Sequence, residues 1–133
     1  MSTPPEHVVV DASVMVDLLA RTRDRFSAVR VRLSRTVMHV PAHFDEEVLS
    51  ALGRLYRAEV LTVGQVDSAL AQLGRAPLIR HDLSPLVMGA WARREALQLT
   101  DALYVELAAV TGLLLLTTDH RLARSCPLVE AIG

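Results

Sequence analysis

The sequence contains no lysine: all fourteen of its basic residues are arginine. Chemistry that requires a lysine amine is therefore excluded. This removes Walker-type nucleotide sites, Schiff-base enzymes and receiver-type phosphoacceptor domains. Cysteine is nearly absent too. Cys126 stands alone, so there is neither a disulfide framework nor a cysteine metal site. Its place before Pro127 and an apolar run marks it as a small packing residue. Charge of either sign is not in excess. The net formal charge is −1, so no overall basic field announces a nucleic-acid partner. Long apolar runs are missing as well: Leu113–Leu116 is as long as any, far short of the roughly 18 residues of a membrane span. The opening segment Met1–Glu6 lacks the basic and apolar blocks of a signal peptide, and a soluble, cytoplasmic protein is expected.

What is present points to one folded unit. Of 133 residues, 51% are apolar and only 22% charged, which excludes a disordered chain and fits a single domain over 1–133. Residues 1–6 are expected to form a flexible tail. His7–Val10 is a compact β-branched run that stops at Asp11, after which Ala12–Leu19 takes helical spacing. Arg21–Arg35 is expected to be helical in its later part. Thr36–Val40 reads as a second strand closed by Pro41. Phe44, Val48, Leu52 and Leu55 mark an amphipathic helix from Ala42 to about Arg57. Leu61–Leu73 is another helix with Thr62 as its N-cap, Pro77–His81 a short strand, and Leu83–Ala96 a helix containing Trp91. Thr100–Thr111 is a helix that Thr100 can cap and Gly112 stops. Leu113–Leu116, a short helix at His120–Arg124 and a last strand near Leu128–Ala131 complete the chain. Continuous apolar strands separated by helices predict an α/β fold: a central parallel sheet of about five strands with helices on both faces.

In such a sheet, ligands bind beyond the carboxyl ends of the strands where strand order reverses. Val8-Val9-Val10 delivers Asp11-Ala12-Ser13 there, and Leu113–Leu116 delivers Thr117-Thr118-Asp119. Each aspartate alone reads more readily as a helix N-cap, but two of them, each fed by a buried strand, point toward a site. Asp101 lies in the first turn of a helix, where it can also offset the helix dipole. Glu47 sits on the border of the apolar stripe, while Asp45 and Glu46 turn toward water. Several carboxylates at one sheet edge repel one another, and a hard divalent cation removes that repulsion. Trp91, Met38 and Met88 are expected in the core. His43 is expected at the surface, and His7, His39 and His81 have no partners at ligand spacing.

These segments together resemble PIN-domain ribonucleases, in length and layout the VapC-type toxins of type II toxin–antitoxin pairs. The residues that carry the resemblance are Val8-Val9-Val10-Asp11-Ala12-Ser13, Pro41 followed by Glu47–Leu52, Thr100–Ala108, and Leu116-Thr117-Thr118-Asp119-His120-Arg121-Leu122. The resemblance implies a PIN-like fold and an acidic Mg²⁺ or Mn²⁺ site made by Asp11, Glu47, Asp101 and Asp119. Ser13 and Thr117 support it, and Glu47 rather than Glu46 takes the position after Pro41. It further implies RNA phosphodiester hydrolysis, a homodimer and a small VapB-like antitoxin lying across the acidic groove.

Basic residues should surround such a site, because RNA is attracted mainly through its phosphates. Six arginines face the single Asp24 between Arg21 and Arg35, and His120, Arg121 and Arg124 follow Asp119. Arg23, Arg25, His120, Arg121 and Arg124 are the RNA-binding candidates, with a solvated helix face as the plain alternative for the first group. A PIN-like binding scaffold without catalysis and a DNA-directed nuclease of the same fold remain open. An aspartyl-phosphate phosphohydrolase is disfavoured: Ser13 stands where that chemistry needs a second aspartate, and the later lysine is missing.

Overall fold

The computed structural model describes residues 3–133. Its elements in chain order are β1 (Glu6–Val10), α1 (Ala12–Leu19), α2 (Phe26–Leu33), β2 (Thr36–Pro41), α3 (Phe44–Arg57), α4 (Val63–Arg75) and β3 (Leu78–His81). After a 3-10 turn at Ser84–Leu86 come α5 (Val87–Ala92), α6 (Leu99–Thr111), β4 (Leu114–Thr117), α7 (His120–Ser125) and β5 (Val129–Ala131). All five strands are parallel, in the order β3-β2-β1-β4-β5. Val8, Val9 and Val10 of the central strand have no exposed surface. Their neighbours explain it: α1, α3 and α4 pack together in one layer, while α6 lies on β1, β2 and β4 with α5 against it.

The chain builds outward from β1 in both directions. β2 and β3 extend the sheet one way, and β4 and β5 the other. The reversal therefore falls between β1 and β4, where an open α/β sheet leaves a crevice at its carboxyl edge. Two glycines meet local demands elsewhere, one of backbone conformation and one of space. Gly112 ends α6 at φ 69°, a left-handed conformation that costs a side chain-bearing residue energy. Gly89 lets α5 approach α6 so closely that an added methyl would overlap the Glu106 carboxylate.

Several expectations need correction. Glu6 belongs to β1 and is tied to Arg32, so the irregular lead within the described residues ends at Pro5; Met1 and Ser2 lie outside them. The segment 83–96 is not one helix but a 3-10 turn and the six-residue α5. Pro85 at the start of the turn supplies no N–H, and the turns after Ala92 break the register. Trp91 and Met88 are not core: they are 55% and 79% exposed because, among the described residues, no element covers the outer side of α5. Met38 does pack against the core, as does Cys126. Thr100 does not cap α6. Gln98 occupies that position without a side-chain bond, and Thr100 is inside the first turn. Thr62 does cap α4, through a reciprocal capping box with Gln65.

The histidines also differ from expectation. His7, His39 and His81 sit on three adjacent strands and form a hydrogen-bonded row, with nitrogen–nitrogen separations of 2.9 Å on both sides of His39. Their sequence separations of 32 and 42 residues hide this, since only the parallel register aligns them. Burial, then His81 and His7, hold His39 below its ordinary value.

Candidate active site

The carboxyl edges of β1 and β4 converge through a hydroxyl network. The Ser13 hydroxyl donates to Oδ2 of Asp11 at 2.8 Å, and the Thr117 hydroxyl donates to the same oxygen at 2.8 Å. Thr117 has no exposed surface, and its oxygen in turn accepts the Asp119 amide at 3.0 Å. Ser13 accepts the Thr118 amide at 3.3 Å. Both hydroxyls thus direct their protons to one oxygen of Asp11, and neither reaches Oδ1. A backbone bond from Asp11 N–H to the Leu116 carbonyl, 3.0 Å, extends the β1–β4 ladder to this point. Asp11 occupies the N-cap position of α1 yet makes no side-chain cap bond. The simple capping explanation fails for it. For Asp119 it holds: Oδ1 accepts the amides of Arg121 and Leu122 at the start of α7.

Glu47 and Asp101 come from opposite helix layers. Glu47 is half-buried on α3, and its Oε1 accepts the Tyr104 hydroxyl at 2.7 Å. Tyr104 is three residues after Asp101, so the two share a face of α6. Burial and Glu47 push the Tyr104 phenol far above its ordinary value, so it stays a donor. The His43 ring packs on Tyr104 with centroids 5.0 Å apart, and Nε2 stands 3.3 Å from Glu47 Oε1. That contact lies within ion-pair reach but is poorly aligned, and both His43 nitrogens are buried without a hydrogen bond. The expected surface position for His43 is thus wrong, because Tyr104 covers the ring. Asp45 does not simply face water either; it holds the Arg80 guanidinium at 2.7 and 3.0 Å.

Among the described residues no hydrogen-bond donor reaches the Asp101 carboxylate. Burial, followed by the charges of Asp11, Glu47 and Asp119, pushes its carboxyl up to about 6. Asp11 is raised as well, chiefly by burial and in spite of its two hydroxyl donors. Mutual repulsion among oxygen donors at one sheet edge is the electrostatic signature of a place for a hard cation. Among the described residues no three His, Cys, Asp or Glu side chains converge tightly enough to enclose one ion. The donors that do gather here are carboxylate and hydroxyl oxygens, the ligand type a hard divalent cation takes.

Two clefts meet here. One, of about 390 Å³, is lined by Asp11, Ser13, Glu47, Asp101, Arg25 and Arg54 among others. The second, about 360 Å³, is lined by Asp101, Asp119, Gln98 and Arg121 among others. Arg25 and Arg121 are thus at the site, whereas Arg23, His120 and Arg124 are exposed and line neither cleft. Arg32, in the same basic segment, is instead held between Glu6 and Glu130. Sequence reasoning missed four residues of this region. Tyr104 and His43 lie one helical turn from Asp101 and Glu47, and Arg54 lies two turns after Glu47. Asp17, buried on α1, holds Arg25 at 3.1 Å.

A family model of the PIN domain matches residues 8–126, the span that contains all of this geometry. The chain belongs to the PIN-domain family. Ribonuclease VapC3 of Mycobacterium tuberculosis is 67% identical to it over 132 residues, covering 99% of this chain and 96% of the relative. Ribonuclease VapC12 of the same species is 33% identical over 118 residues, 89% of this chain and 91% of the relative. Among solved structures, a toxin–antitoxin complex from Klebsiella pneumoniae shares the fold, with a TM-score of 0.69 and 16% identity over 93% of this chain and 96% of that one. Mycobacterium tuberculosis VapC20, described as a Sarcin-Ricin loop cleaving toxin, gives a TM-score of 0.62 at 18% identity, over 80% and 84% of the two chains. The curated relatives set this chain among VapC-type PIN proteins.

Proposed function

We propose that this chain is a metal-dependent endoribonuclease and the toxin of a toxin–antitoxin pair. The observation that carries the reading is the carboxylate set at the β1–β4 reversal, with Asp101 raised by burial and then by its acidic neighbours, in a protein 67% identical to a named ribonuclease. When bound, Mg²⁺ or Mn²⁺ supplies a water of lowered pKa and neutralises charge at the cleaved phosphate. Asp11 and Asp101 would hold the ion, with Glu47 and Asp119 binding it directly or through water. Ser13 and Thr117 fix the orientation of the Asp11 carboxylate by donating to Oδ2. Tyr104 fixes Glu47 in the same way. Fixing of this kind by outer partners is what tunes a metal ligand. Arg25 and Arg121 contact RNA phosphates, with the bidentate geometry that favours Arg over Lys.

The partners follow from the same reading. A small VapB-like antitoxin covers the acidic clefts. A second copy of the chain covers the apolar stripe of Val87, Met88, Trp91 and Leu99, each at least 47% exposed. Among the described residues no helix is long and apolar enough to cross a membrane, and the proposed site of action is the cytoplasm. Induced expression in a bacterial host tests the toxin reading. Growth arrest that Asp11→Asn abolishes, and that co-expressed antitoxin relieves, is expected. Arrest that persists in folded Asp11→Asn would refute a catalytic toxin and favour the binding scaffold.

A further inference from the structure

The two clefts share a single acid. Asp101 lines both, whereas Asp11 and Glu47 line only the first and Asp119 only the second. Each cleft also contributes an arginine at a different distance from its own carboxylates. Arg121 is 4.0 Å from Asp119, and Arg25 is tethered to Asp17 at 3.1 Å. Arg54 differs from both. Glu47, Ala51 and Arg54 follow one another at i, i+4 and i+7 on α3 and line the first cleft together. Arg54 is exposed and takes part in no ion pair among the described residues. An arginine beside carboxylates yet uncommitted to any of them keeps its full fork of donors for an incoming anion. The linings of both clefts, among the described residues, are carboxylates, arginines, Gln98 and small or aliphatic side chains, which suits contacts to the backbone phosphates rather than to bases.

We infer that Arg54 is a substrate-binding residue that holds an RNA backbone phosphate on the α3 side of the cleaved bond. Arg121 holds one on the α7 side, so that a single strand crosses the site over Asp101. The inference rests on the ribonuclease reading and adds to it a direction for the strand's path and a residue that no motif marks. Clefts of about 390 and 360 Å³ stand at the lower end of ligand-site sizes, which suits one unpaired strand threading both.

The test is binding of a labelled, mixed-sequence, single-stranded RNA 12-mer to the full chain over a series of salt concentrations. Ca²⁺ replaces Mg²⁺, and a gel checks that the RNA stays intact. Each lost phosphate contact on a single strand reduces the slope of log K against log salt by about 0.7. Arg54→Ala is expected to show that reduction, Arg54→Lys to recover most of it, and Arg57→Ala, on the same helix outside both clefts, to show none. In cleavage assays with Mn²⁺, Arg54→Ala should raise KM and leave kcat nearly unchanged, as expected for contacts made equally in ground and transition states. A wild-type slope for Arg54→Ala, from a protein that binds RNA, overturns the inference and leaves the ribonuclease reading intact. So does a variant that keeps RNA binding and loses only antitoxin binding. Wild-type protein that binds no RNA at any salt would refute the ribonuclease reading itself.

Discussion

Asp101→Asn should stabilise the ion-free protein while destroying its response to metal. The Asp101 carboxyl is raised from its ordinary 3.8 to about 6, first by burial and then by Asp11, Glu47 and Asp119. A folded-state value above the unfolded one means that the native protein binds this proton more tightly. The corresponding stability is fully present below pH 3.8 and is lost as pH rises through 6. The whole shift amounts to about 3 kcal/mol at 1.36 kcal/mol per unit. Asp101 is only half-buried, however, and solvent screening leaves roughly 1 kcal/mol of that. Asparagine has nearly the same shape and no charge, so at pH 7.5 without divalent ions it should raise stability by about 1 kcal/mol, a Tm increase of roughly 3–4 °C for a domain of this size. Below pH 4 the two proteins should coincide. With Mg²⁺ at a hundred times its dissociation constant, the wild type should gain about 2.7 kcal/mol and the variant far less. Urea unfolding followed by circular dichroism, with EDTA and with Mg²⁺, reads all four values. A variant less stable than wild type in EDTA at pH 7.5, with an unchanged Mg²⁺ increment, would refute the reasoning.

Two further predictions concern the scaffold of the site and the packing away from it. Tyr104→Phe removes the 2.7 Å bond to Glu47 and should weaken metal affinity, read by Mn²⁺ calorimetry, about tenfold. An unchanged affinity would show that Glu47 needs no fixing. Gly89→Ala should destabilise the protein by about 1–3 kcal/mol in urea unfolding, since its methyl overlaps a Glu106 carboxylate held by Arg93 at 3.2 Å. A loss below about 0.5 kcal/mol, within the range of ordinary surface changes, would mean that Glu106 moves aside freely.

The parts of this molecule legible in the sequence are those with local causes. β1 and β4 are short apolar runs that end at a polar residue, and the parallel sheet follows from their alternation with helices. The α3 stripe of Phe44, Val48 and Leu52 is buried as its spacing requires. Asp11 and Asp119 are visible because a strand end is a fixed address in such a sheet. What the sequence hid depends on which elements meet. The Glu47–Tyr104 bond joins residues 57 apart, and the histidine row joins three strands. The basic segment Arg21–Arg35 looked uniform, yet its arginines divide by tertiary surroundings. Arg25 reaches the cleft, Arg32 bridges two glutamates, and Arg23 stands free in solvent. Trp91 misled for the opposite reason: a helical pattern specifies which residues share a face, not whether anything covers that face.

Cleavage of total bacterial RNA by the purified, antitoxin-free protein tests the central claim most directly. Mg²⁺ or Mn²⁺ is present in one arm and EDTA in the other, beside folded Asp11→Asn and Asp101→Asn. The account requires discrete fragments that appear only with the metal and disappear in both variants. Fragments that survive EDTA and both substitutions would contradict it.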